Sequence, residues 1–152
     1  MRPSWDEYFM EIVGFIKTRS TCLKRQDGAL IVKDRRILAT GYNGAPTGCR
    51  HCTELGCLRD ETDAVQKEYG ENCRGIHAPQ NALVQAAYSG TSVRDGTLYV
   101  TNQPCILCAK MAINAGIRKI VFSGEYPARP VMDLFKEAGM RVVNYNRQVQ
   151  TF

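Results

Sequence analysis

Two short stretches restrict this chain more than any other feature. Pro104-Cys105-Ile106-Leu107-Cys108 sets two thiols at the start of an apolar helical run, and upstream His77 opens another such run. A Cys pair at that spacing can turn both sulfurs toward one side of a metal, and a helix N-terminus favours the thiolate. Alone, such a pair is equally a redox dithiol or two small core residues. An imidazole at the mouth of a second helix changes the reading to His/Cys/Cys, three protein ligands with the fourth tetrahedral position open. Open positions of this sort belong to catalytic zinc, which makes a water acidic enough to react at a pH of about 7. Any fold that accepts this set has to bring two helix starts together.

The rest of the chain supplies such a fold. Trp5, Tyr8, Phe9, Ile12 and Ile16 recur at helical spacing behind Ser4, a good N-cap. Gly28–Lys33 and Arg36–Tyr42 are apolar, β-branched runs separated by Asp34-Arg35, which predicts a hairpin followed by the turn-rich GYNGAPTG at 41–48. A helix is predicted over Ala78–Tyr88, a strand over Thr97–Thr101, a helix over Cys105–Ala115 and a strand over Lys119–Phe122. A helix over Val131–Ala138 and a strand over Arg141–Tyr145 complete the pattern. Strand and helix therefore alternate in the second half, which favours right-handed βαβ crossovers and a partly parallel sheet. The expectation is one α/β domain over residues 1–152 with a mixed sheet.

Composition narrows the function classes. With 152 residues, 44% of them hydrophobic and 23% charged, the chain can bury one real core, which excludes disordered and collagen-like classes. A net charge of +5 suits an anionic small molecule as well as nucleic acid. The basic residues are dispersed and no aromatic–basic stripe is evident, so a nucleic-acid partner is not expected. Asp6 and Glu7 stand where an export signal needs an apolar core, and no apolar run approaches the roughly 20 residues of a membrane span. The expected location is the cytoplasm, where seven Cys point to metal or catalysis before disulfides.

Residues 49–74 form a polar, Cys-rich insertion that needs a reason to be ordered. Cys49, Cys52, Cys57 and Cys73 provide the makings of a closed, structural zinc site, with His51 as an alternate to Cys49 and Cys22 as a further candidate. A set of free thiols is the other reading.

His77 followed by PCILC, with TNQ directly before it, resembles the H-x-E…P-C-x-x-C signature of the cytidine-deaminase-like fold. RPSWDEYFM, RSTCLKRQ, GYNGAPTG, HAPQNA and INAGIRKIVF extend that resemblance to the deoxycytidylate (dCMP) deaminases, from about residue 3 to residue 145. The resemblance implies a three-layer α/β/α fold with a mixed five-stranded sheet flanked by helices. It implies zinc on His77, Cys105 and Cys108, Asn43 beside a sugar hydroxyl, and Lys24 and Arg25 near a substrate phosphate. Tyr126 is a candidate ring against the base or a plain surface-loop tyrosine. Members of this family hydrolyse dCMP to dUMP, usually as homohexamers, with dCTP activating and dTTP inhibiting.

Two positions depart from that pattern. The family's Glu two residues after the His moves the protons of the reaction, and here the position is Pro79, with no titratable group and no N–H. Proline suits the first turn of a helix, so the helix forms while the proton shuttle is gone. Gln80 follows, but an amide does not shuttle protons. The second departure is Asp27, where the family commonly has Val lining the pocket beside the base. Asp27 is either a substitute proton relay, a reader of a different base edge, or a solvated residue at a strand start. The expected function is zinc-dependent deamination of a free deoxynucleotide altered by Pro79, or a catalytically silent nucleotide-binding relative acting as sensor or regulatory subunit.

Overall fold

The computed structural model describes residues 1–61 and 73–148. Ser4 caps the first helix, α1 (Trp5–Ile16), in a reciprocal box: its Oγ accepts from Glu7 N at 3.2 Å, while Glu7 Oε2 accepts from Ser4 N at 2.6 Å. A 3-10 turn over Lys17–Arg19 closes it. Strands β1 (Gly28–Lys33) and β2 (Arg36–Tyr42) follow as an antiparallel hairpin with the boundaries the apolar runs predict. Asp34 and Arg35 both take positive φ, 50° and 62°, the conformation that a two-residue hairpin turn demands.

A one-turn helix α2 (Cys52–Leu55) and a 3-10 turn (Leu58–Glu61) lie in the Cys-rich insertion, whose residues 62–72 fall outside the described residues. The second half then alternates: α3 (Ala78–Tyr88), β3 (Thr97–Val100), α4 (Ile106–Asn114), β4 (Lys119–Phe122), α5 (Arg129–Glu137), β5 (Arg141–Asn144) and a short α6 (Tyr145–Gln148). One five-stranded sheet results, in the order β2-β1-β3-β4-β5. β1 is antiparallel to both neighbours, whereas β3, β4 and β5 run parallel.

Both faces of the sheet are covered, and the strand sequences show why. Leu30, Val32, Tyr99, Val121 and Val143 face Phe9, Met10 and Val13 of α1. Their neighbours Ala29, Ile31, Leu98, Val100, Ile120 and Phe122 face α3, α4 and α5 on the other side. Side chains alternate along a strand, so continuous apolar runs such as Ala29–Val32 are what a sheet between two helical layers requires. This is the three-layer mixed α/β fold. Among the described residues no helix is long and apolar enough to cross a membrane.

The layer that carries the site is set by a close approach of backbones. A Cβ on Gly41 of β2 would lie 2.4 Å from Ala82 N and 2.5 Å from Ala78 O, so α3 rests directly on the strand. Asn81 adds a bond from its Nδ2 to Tyr42 O at 2.9 Å, and Gly44 pairs with Ile76 just ahead of His77. Gly41→Ala is therefore expected to destabilise the protein by about 3 kcal/mol, read as a lower urea midpoint at unchanged m. An unchanged midpoint would mean that α3 does not bear on β2 at this point.

Candidate metal centre and its pocket

β1 runs antiparallel to β3, so the start of β1 lies beside the carboxyl end of β3. Gly28 N bonds to Thr101 Oγ1 at 3.0 Å, and Thr101 N to Gly28 O at 3.1 Å. Ligands of open α/β sheets gather beyond such carboxyl ends. Here three segments meet: residues 24–27 before β1, the TNQPC loop after β3, and the mouth of α3.

His77 is the N-cap residue of α3 and Cys105 that of α4, with Cys108 one turn inside. His77 Nδ1 stands 3.3 Å from Cys105 Sγ and 3.4 Å from Cys108 Sγ. Cys108 N donates to Cys105 Sγ at 3.5 Å. Gln80 has a positioning role, since its Oε1 accepts the His77 N–H at 2.9 Å and fixes the backbone from which the imidazole projects.

The hydrogen bond from Cys108, then that from His77, holds the Cys105 thiol down at about 3. The same Cys105–Cys108 bond, then burial, pushes Cys108 far up, and the bond to Cys105 raises His77. The opposite shifts of the two thiols have one cause, the hydrogen bond between them. These donors all lie within 4.8 Å of one another, and the two sulfurs with one nitrogen fit a tetrahedral zinc with an open position.

A cavity of about 260 Å³ opens onto this centre. It brings together Lys24, Arg25, Asp27, Asn43, His77, Pro79, Cys105 and Cys108. Pro79 is buried in the first turn of α3 and is one of the residues that line the cavity. Asp27 carries the one carboxylate among the described lining residues. Its Oδ1 accepts from Asn102 Nδ2 and from Thr101 Oγ1 (3.3 Å), and its Oδ2 accepts from Arg25 Nε at 2.8 Å. Lys24 Nζ meets Asp60 Oδ1 at 2.7 Å, so each cation read as a phosphate partner already holds a carboxylate.

Asn43 is engaged as well. Its Oδ1 accepts from Asp27 N (2.8 Å) and Ser20 Oγ (2.5 Å), while its Nδ2 donates to Arg25 O at 2.7 Å. The side chain therefore pins the 25–27 segment, with one of its two amide hydrogens used in doing so. Tyr126 lies outside the cavity lining, 45% exposed, with its ring edge-on to Phe122 at 5.7 Å.

The Cys-rich insertion turns Cys52, Cys57 and Cys73 toward the same cavity, together with Cys22. Burial and the neighbouring thiols of Cys22, Cys57 and Cys73 push the Cys52 thiol up. Cys49 is exposed and outside this group, and His51 Nδ1 is 3.0 Å from Thr21 Oγ1. No set of three ligands in this second group lies within metal-binding reach among the described residues. Thr101 and Asn102, partners of Asp27, were not singled out from sequence individually, although the TNQ that contains them adjoins the Cys pair.

Three-layer architecture and a His/Cys/Cys centre at two helix mouths define a zinc-deaminase type of α/β domain. Residues 3–124 match the cytidine and deoxycytidylate deaminase zinc-binding region, and the chain belongs to that family. Comparison with known proteins places it beside the dCMP deaminases. It is 39% identical over 129 residues to the deoxycytidylate deaminase of Mycobacterium phage D29, covering 82% of this chain and 98% of the phage protein. It is 38% identical over 142 residues to ComE operon protein 2 of Bacillus subtilis, covering 93% of this chain and 71% of that protein. The structure superposes on the dCMP deaminase of cyanophage S-TIM5 in complex with dCMP and dUMP with a TM-score of 0.74 and 29% identity, covering 95% of this chain and 98% of that one. The chain spans only 45% and 46% of the two yeast deoxycytidylate deaminases it also matches.

Cys105→Ser is expected to lower tightly held zinc by one equivalent per chain, measured by atomic emission on dialysed protein. Full zinc retention would remove Cys105 from the ligand set.

Proposed function

We propose that this chain holds zinc on His77, Cys105 and Cys108 and binds a deoxynucleotide of the dCMP type in the adjoining cavity, with its hydrolytic deamination slowed by Pro79. Zinc in such a site supplies an activated water. What the chain itself has to add is a group that carries the proton onward to the base. The observation that carries the reading is the cavity wall: Pro79 stands at the position of the family's shuttle, and Asp27, the one lining carboxylate among the described residues, has both oxygens engaged by three donors. Each oxygen of this carboxylate already accepts a hydrogen bond from the protein, which ties it to the wall rather than aiming it at a substrate.

The remaining side chains still favour binding. Asn43 retains an amide hydrogen, Arg25 and Lys24 bring positive charge to the rim, and Ala78 and Pro79 form an apolar wall. Binding without fast turnover suits a sensor or a regulatory subunit of mixed oligomers, and the chain on its own is read as a homo-oligomer, a hexamer. Response to dCTP and dTTP and a cytoplasmic location belong to the same reading. It is tested by mass-spectrometric turnover on purine and pyrimidine nucleoside monophosphates with zinc-loaded protein beside a Pro79→Glu variant. The variant is expected to convert dCMP to dUMP about 10²–10⁴ times faster than the parent. Equal rates would overturn the reading and make Asp27 the substitute proton carrier.

We propose also a second, structural zinc in the insertion: Cys22, Cys52, Cys57 and Cys73 line one cavity, and the ion would draw them together from positions not yet within metal-binding reach, with Cys22 in place of Cys49. Cys57→Ser is then expected to lose one zinc equivalent while Cys49→Ser keeps it. Loss in Cys49→Ser would restore the set read from spacing.

A further inference from the structure

The cavity holds a cation and an anion of its own in contact, and this pairing bears on what the site selects. Arg25 Nε and Asp27 Oδ2 are 2.8 Å apart, both residues line the cavity, and their side chains are 53% and 20% exposed. Asp27 is fixed on its other side by Asn102 and Thr101, and through its backbone by Asn43. Arg25 has no such second anchor among the bonds described for its side chain, and its stem is half in solvent. Of the two, the guanidinium is the partner free to move.

We infer that Asp27 serves as an internal anion for Arg25, exchanged for the phosphate of an incoming nucleotide. The inference rests on the deoxynucleotide reading of the pocket given above. When the guanidinium turns to a phosphate, its fork geometry suits the new partner as well as the old one. Asp27 Oδ2 is then left open toward the cavity that His77 and Pro79 line. Asp27 is thereby a specificity-determining residue: its competition for Arg25 weakens the preference for a nucleotide over the corresponding nucleoside. A valine at this position would offer no such competition.

The test is a set of calorimetric affinities on zinc-loaded protein for dCMP, deoxycytidine and inorganic phosphate. The parent, Asp27→Asn, Arg25→Gln and the double variant are compared. Asparagine keeps an acceptor for Asn102 and Thr101 but removes the charge that holds Arg25. Asp27→Asn is expected to tighten dCMP by about 5–10-fold and leave deoxycytidine unchanged. In the Arg25→Gln background the same change is expected to do nothing for dCMP, which separates exchange from a general loss of negative charge. An equal gain for dCMP and deoxycytidine, or a gain that survives Arg25→Gln, would overturn the exchange and leave the nucleotide reading standing. Binding of phosphate without any binding of dCMP or deoxycytidine in all four proteins would overturn the nucleotide reading and the exchange with it.

Discussion

For a histidine and two cysteines to share a metal, two helix mouths have to meet at one edge of the sheet. Most of the local structure serves that requirement. Gly41 lets α3 sit on the backbone of β2, Asn81 and the Gly44–Ile76 bridge fix its entry, and Gln80 holds the N–H of His77. On the other side, the parallel strands β3 and β4 demand a crossover, and α4 is that crossover. Only the five-residue TNQPC loop separates its first turn from the end of β3, so a cysteine pair placed there arrives at the carboxyl edge of the sheet.

The electrostatics of the pocket are nearly closed upon themselves. Cys105 carries the charge that its neighbours stabilise, Asp27 neutralises Arg25, and Asp60 sits on Lys24. A pocket of this kind is organised before any ligand enters, which lowers the cost of ordering it. The substitution at residue 79 fits the same picture. Proline fits the first turn of α3 and keeps its geometry while bringing no titratable group to the cavity.

Much of the fold was legible because its signals are local. The hairpin boundaries follow from two apolar runs and a two-residue turn, and α3 and β4 begin and end where their periodicity does. Differences are small and have causes. The helix predicted from Val131 starts at Arg129, because Pro130 is tolerated in a first turn. β3 stops at Val100 since Thr101 turns its hydroxyl to cap Gly28 N, and β5 gives way at Tyr145 to a short helix. That His77, Cys105 and Cys108 come together was legible from residue type and spacing. Asn102 as partner of Asp27 was not, because that contact depends on the register of β1 against β3. Cys22 was only a secondary candidate for the insertion's cysteines, since it lies upstream of β1 and joins them only through the tertiary fold.

The bond between Asp27 and Asn102 joins the pocket wall to the loop that delivers Cys105, three residues further on. A metal on Cys105 and a ligand against Asp27 would consequently press on one short piece of chain. Wherever such sharing makes one occupant alter the affinity of the other, the influence is mutual and equal in magnitude. Zinc affinity measured with and without a nucleotide, and nucleotide affinity measured with and without zinc, then report one and the same quantity.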